Sequence, residues 1–186
     1  MIFTETEIQG LYVIEPEKHE DIRGYFVRTY CADEFRTHGL DPEISQCSLS
    51  YNKKAGTVRG LHYQAEPYAE VKVVRCMKGR IFDAAVDIRK GSPTFGKYVS
   101  LELSEDNGKA FYIPKGFAHG FMSLSDDTLV LYQMSAPYNQ ESARTIRWND
   151  PAINISWPTY ICGLGGGAFT ISDKDSCAPY LSDAEK

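Results

Sequence analysis

The sequence contains no apolar run of about 18 residues, so no helical membrane span is expected. Its opening residues, MIFTETEIQGLYVIEP, lack a basic start and carry acids early. No secretory leader is expected there, and the cytoplasm is the expected compartment. There is no CxxC pair. The five cysteines, at 31, 47, 76, 162 and 177, are odd in number and scattered, which suggests neither a zinc site nor a disulfide framework. A basic tract is also missing, and the formal net charge of −5 argues against general nucleic-acid binding. Repeats and low-complexity segments are absent. Helical periodicity is scarce: Ala32 to Thr37 suits one short helix stopped by Gly39, and the tail suits a short turn of helix capped by Ser172.

Strands fill most of what remains. Residues 1–15 suggest a first strand entering a Pro/Glu-rich turn, and His19 to Arg23 a polar turn. YFVRTY after Gly24 alternates as a strand, and Gln46 to Tyr51 is extended. Then VKVVRCM, RIFDAAVDI, KYVSLEL, KAFYIP, GFMSL and TLVLYQMS follow in quick succession. Each is short, rich in β-branched or aromatic residues, and bounded by Gly, Pro, Asn or Asp. Such spacing suits an all-β jelly-roll barrel rather than alternating strands and helices. The chain of 186 residues is expected to be a single domain. Residues 1–160 would form the jelly roll and 161–186 a tail that contributes to the site, with flexible glycines at 163–167.

Chemistry concentrates in two stretches, Gly56 to Arg80 and Phe111 to Phe121. Pro114-Lys115-Gly116-Phe117-Ala118-His119 places a histidine after a tight turn and resembles the second motif of the cupin jelly rolls. The first cupin motif would be His62-Tyr63-Gln64, then Glu70, then Gly79. Its second histidine is glutamine here. Two imidazoles without a third make a poor metal site, so no metal and no cofactor are expected, and the histidines are free for acid–base work. Alternation puts His62 and Gln64 on one face of their strand, and Lys72 among apolar neighbours where a cation is costly without a task or partner. Tyr132 shares a face with Val130 and Met134. Each of these residues alone is as well explained by packing or hydrogen bonding. Together they offer a base, a cation for an enolate oxygen and an opposed acid, which suits proton transfer beside a carbonyl by an epimerase, isomerase or lyase.

DIRGYF, TVRGLHYQ, VKVVRCMKGRIFDAAVDIRKGSPTFGKYVSLELS, FYIPKGFAHGF, RWNDPAINISWP and ISDKD resemble the dTDP-4-dehydrorhamnose 3,5-epimerase family. That resemblance implies a homodimeric, metal-free cupin jelly roll. It implies conversion of dTDP-4-dehydro-6-deoxy-D-glucose into dTDP-4-dehydro-L-rhamnose. By the same resemblance His62 is the base, Asp175 orients and charges it, Lys72 lies beside the enolate oxygen, and Tyr132 is the acid on the other face. Tyr138 stacks on the thymine ring. Arg23, Gln46, Arg59, His119 and Lys174 fall on substrate- or diphosphate-binding positions. Where the family pattern carries two glutamates, Arg28 and Ala143 stand here, and QDNHS becomes Gln46-Cys47-Ser48-Leu49-Ser50. If Arg28 and Ala143 both line the site, they make it more positive, with a firmer hold on the diphosphate and a looser reading of the base. The alternatives are epimerisation of another nucleotide-linked 4-keto-deoxysugar or at one carbon only, and a sugar- or nucleotide-binding cupin without catalysis.

Overall fold

The computed structural model describes residues 1–158 and 169–184; the glycine-rich 163–167 lies outside them. A six-stranded antiparallel sheet has the order β1-β2-β10-β7-β12-β5, and a five-stranded one β13-β6-β11-β8-β9. Their strands are β1 (Ile2–Glu5), β2 (Tyr12–Glu15), β5 (Gln46–Asn52), β6 (Val58–Gln64), β7 (Lys72–Lys78) and β8 (Arg80–Asp87). They continue with β9 (Tyr98–Ser104), β10 (Ala110–Ile113), β11 (Phe117–Ser123), β12 (Thr128–Met134) and β13 (Ala143–Thr145). A separate hairpin pairs β3 (Lys18–Asp21) with β4 (Gly24–Val27). The fold is an all-β jelly roll of the cupin kind, and its helices are short: α1 (Ala32–Thr37), α2 (Asp173–Ser176) and α3 (Leu181–Ala184).

Strand alternation builds the core. Val74, Cys76, Phe111, Ile113 and Val130 of the first sheet meet Ile81, Ala85, Phe117 and Phe121 of the second. Each such side chain contributes about 1.5–3 kcal/mol on full burial when it is as large as Val, Leu or Phe. The alternate residues serve the outside. Leu61, Ala84, Val86, Ala118 and Met122 pack under Ile146, Ile153, Ile155, Trp157 and Leu181 of the C-terminal segment. Val71, Val73 and Tyr112 are covered by Phe35 of α1 and by Leu40.

Two stretches differ from their sequence-based expectation. Residues 1–15 form two paired strands rather than one, because Gly10 (φ +93°) turns the chain back between them. HEDIR supplies the strand β3 and a turn closed by Gly24 (φ +123°), and YFVRTY continues as strand only to Val27. The hairpin alternates as expected but buries neither face on this chain, and Ile22 and Phe26 stand in solvent.

The tail is stitched to the sandwich. Thr170 forms a parallel bridge with Thr57, exchanging hydrogen bonds with Gly56 and Val58. The Ser172 hydroxyl then accepts from the Asp175 N–H and starts α2 as a cap should. This delivers Asp175 to β6.

Candidate active site

One open end of the sandwich holds a cavity of about 350 Å³. The five-stranded sheet lends it His62 and His119, which are direct cross-strand partners on β6 and β11. The six-stranded sheet lends it Lys72 and Tyr132. Arg59, Tyr138 and Lys174 line it too. Glycine makes the first wall possible. Gly60 has φ +123°, and a Cβ there would lie 2.6 Å from the Gly120 Cα; one on Gly120 would lie 2.8 Å from the Arg59 oxygen. The register shifts at this point, between His119 and Phe121. Only two glycines permit so close an approach.

His62 and Asp175 form a dyad, with Nε2 2.8 Å from Oδ1. The other carboxylate oxygen accepts the Gly60 N–H at 3.2 Å. Burial pushes the Asp175 carboxyl upward, but the hydrogen bonds from His62 and Gly60 outweigh it, so the group titrates below the ordinary carboxylate value. The His62 side chain is 41% exposed, which places it at the mouth.

Lys72 is buried. Its Nζ donates to the His62 carbonyl oxygen at 3.1 Å and pairs with Glu70 at 3.2 Å. Burial holds its ammonium below the ordinary lysine value, and the Glu70 charge opposes that shift only in part. Tyr132 packs against the core, and its hydroxyl has no hydrogen-bond partner among the described residues. Burial, then the nearby Asp83 charge, pushes that hydroxyl well above the ordinary tyrosine range.

Gln64 stands where a cupin metal site would have its second histidine, and its amide is spent elsewhere. It donates toward Tyr68 O, Pro137 O and Glu70, and accepts the Asn139 N–H at 2.6 Å. Among the described residues no group of three or more His, Cys, Asp or Glu converges as metal ligands would.

Three binding candidates lie off the cavity. Gln46 borders it indirectly, since its Oε1 accepts the Tyr138 N–H at 2.9 Å and anchors that loop. Arg23 sits on the exposed hairpin and pairs with Asp21. Arg28 pairs with Glu34 at 2.9 Å, away from the cavity. Within its own chain, therefore, only Ala143 of the two glutamate replacements lines the site. Sequence reasoning missed Arg144, Thr145 and Ser50 on the cavity wall and Asp83 beneath His119. The available signal for Asp83 was a lone acid inside the apolar run RIFDAAV. A second cavity, of about 400 Å³ between the hairpin and β7, holds no imidazole.

The profile described as dTDP-4-dehydrorhamnose 3,5-epimerase matches residues 5–183. The chain belongs to the dTDP-4-dehydrorhamnose 3,5-epimerase family. It is 45% identical over 183 residues to the enzyme of that name from Sinorhizobium fredii (strain NBRC 101917 / NGR234), covering 98% of this chain and 91% of the relative. Its fold is similar to the dTDP-6-deoxy-D-glucose-3,5-epimerase from Legionella pneumophila Philadelphia 1, solved with dTDP-4-keto-L-rhamnose. The TM-score is 0.90 at 38% identity, covering 99% and 95% of the two chains. A 3'-monoepimerase from Streptomyces bikiniensis, solved with dTDP-quinovose, has a TM-score of 0.88 at 31% identity, covering 97% and 88%.

Proposed function

We propose that this protein inverts carbons 3 and 5 of dTDP-4-dehydro-6-deoxy-D-glucose to give dTDP-4-dehydro-L-rhamnose. One observation carries the reading: a carboxylate-backed imidazole lies on one sheet, and an unpartnered tyrosine hydroxyl stands on the facing sheet of the same cavity. Inversion needs that arrangement, with a base on one side of the sugar ring and an acid on the other.

The 4-ketone acidifies the hydrogens on both neighbouring carbons. His62 removes one, the electrons move into an enolate, and the Lys72 ammonium, held by Glu70, offsets the charge on the oxygen. Tyr132 delivers a proton to the opposite face. Asp175 keeps the imidazole oriented and stabilises its protonated form. Tyr138, 62% exposed, offers its ring for base stacking. Arg59, fixed by Asn52 Oδ1 at 2.8 Å, and Lys174 take the diphosphate. His119 takes a substrate oxygen.

The working form is proposed to be a cytoplasmic homodimer. Leu49, Tyr51 and Met77 on the six-stranded sheet and Ile22 and Phe26 on the hairpin form exposed apolar surface that a second copy would cover. Arg23 and Arg28 then serve the assembled dimer.

The test is solvent deuterium wash-in, read by NMR on the 4-keto sugar nucleotide. Exchange at two carbons supports the reading, and exchange at one selects the monoepimerase alternative, whose fold is shared by the Streptomyces protein. No exchange at either carbon overturns catalysis.

A further inference from the structure

Each inversion leaves the protein in the wrong protonation state. As a C–H bond breaks, its proton binds His62; as the new C–H bond forms on the other face, its proton leaves the Tyr132 oxygen. The sugar is neutral again, but the protein holds an imidazolium and a phenolate. Before the next inversion His62 must lose a proton and Tyr132 must regain one.

The two groups differ in access. His62 is at the mouth and can exchange with water. Tyr132 is set against the core, in surroundings that disfavour a phenolate, and a sugar nucleotide in the cavity stands between it and bulk water.

Beside Tyr132 is His119. The two rings meet edge to face, with centroids 5.8 Å apart and an interplanar angle of 75°. His119 has its own carboxylate: its Nε2 lies 2.8 Å from Asp83 Oδ1, and the two side chains are 3% and 0% exposed. Asp83 Oδ2 has no hydrogen-bond partner among the described residues. A buried, half-satisfied carboxylate is costly and calls for a task. The roles assigned above to the site leave Asp83 without one. His62 faces His119 from the adjoining strand, and Lys72 is the other charged neighbour of Asp83.

We propose that the His119–Asp83 pair is the relay that reprotonates Tyr132, an inference that rests on the epimerase reading. Protonated His119 gives up its Nδ1 proton, the one Asp83 does not hold, and the proton reaches the Tyr132 oxygen through a water between the two rings as the O–H bond re-forms. Asp83 offsets the charge on the ring and holds its orientation, and the imidazole regains a proton from His62 or from water at the mouth. The net change is one proton moved from His62 to Tyr132, which restores the starting site. Asp83 is a positioning residue in this scheme, and His119 is the carrier.

The experiment is Asp83→Asn, which keeps the shape and removes the charge. Single-turnover reactions in deuterated water are resolved by NMR, with phenolate followed by ultraviolet difference absorbance. The first inversion should stay within about tenfold of wild type, and the next should slow by ~10²-fold, the scale of a lost acid–base group. Singly inverted sugar and phenolate absorbance should then accumulate. His119→Gly supplies a second variant; it also loses the substrate contact assigned to His119, so it is read at saturating substrate, where added imidazole should restore the later inversion relative to the first. A wild-type ratio of doubly to singly inverted product in Asp83→Asn would overturn the relay, and so would an equal fall in both inversions without phenolate. Wild-type protein that washes in no deuterium would overturn the epimerase reading itself, and the relay with it.

Discussion

Replacing Asp175 with asparagine changes few atoms and breaks the dyad in a way the geometry specifies. The carboxylate accepts twice, from His62 at 2.8 Å and from the Gly60 N–H at 3.2 Å. An amide has one acceptor oxygen, so one of those donors must face an NH2 group. Leaving a buried donor unmet costs about 1–3 kcal/mol. The second effect is charge. When His62 takes a proton, the carboxylate beside it is worth about 4 kcal/mol at 4 Å and an effective dielectric of 20. The imidazole is 41% exposed, so solvent screening removes roughly half, leaving about 2 kcal/mol. At about 1.4 kcal/mol per tenfold in rate, that alone is ~30-fold, and the misoriented ring extends it toward ~10³-fold. The assay is deuterium wash-in under single turnover with saturating substrate, with thermal melting run in parallel. The expected result is a fall in the chemical step of that size with little change in substrate affinity. Wash-in within threefold of wild type, in a protein that melts normally, would refute the dyad.

Tyr132→Phe keeps the ring packing and removes the transferable proton; deuterium should still enter from the His62 side while inverted product falls steeply, and equal loss of both would assign Tyr132 to binding or structure. Asp87 is fully buried and accepts from Arg89, Ser92 and Thr94; burial opposes its charge, but those hydrogen bonds win and hold its carboxyl far below the ordinary value. Its stabilisation is therefore present above the unfolded-state value near pH 4 and is lost as pH falls toward the folded value. Asp87→Asn should cost about 3 kcal/mol at neutral pH, with the difference from wild type shrinking in acid; denaturant melts across pH check this, and a constant difference would refute it. Dialysis against a strong chelator should leave wash-in unchanged, and loss that zinc, iron or manganese restores would overturn the metal-free mechanism.

The core of the site is legible in the sequence because strand alternation and costly burial leave marks. Lys72 among valines stands out, and the structure gives it a reason, a salt bridge to Glu70; Gly60, two residues before His62, gains its meaning only from a strand crossing too tight for a side chain. Asp83 escapes because β8 reads as strand with or without it; its meaning comes from His119, 36 residues later. Arg28 is harder to place, because its position in the motif says nothing about which way the hairpin points, and within its own chain its guanidinium turns to Glu34. The strands β1 and β2 merge in the sequence because Gly10, which turns the chain between them, is a single glycine.

The Asp175 tether has a consequence in time. The last strand of the sandwich, β13, ends at Thr145, while the carboxylate that arms His62 arrives 113 residues after its partner. A growing chain can thus complete its barrel, and even gather sugar nucleotide into the cavity, while its base is still unarmed. On the proposed mechanism, activity begins only when the segment from Thr170 to Asp175 docks along β6. The same logic runs in reverse. On that mechanism, a protease that nicks the chain between β13 and α2 and frees that segment would silence the protein.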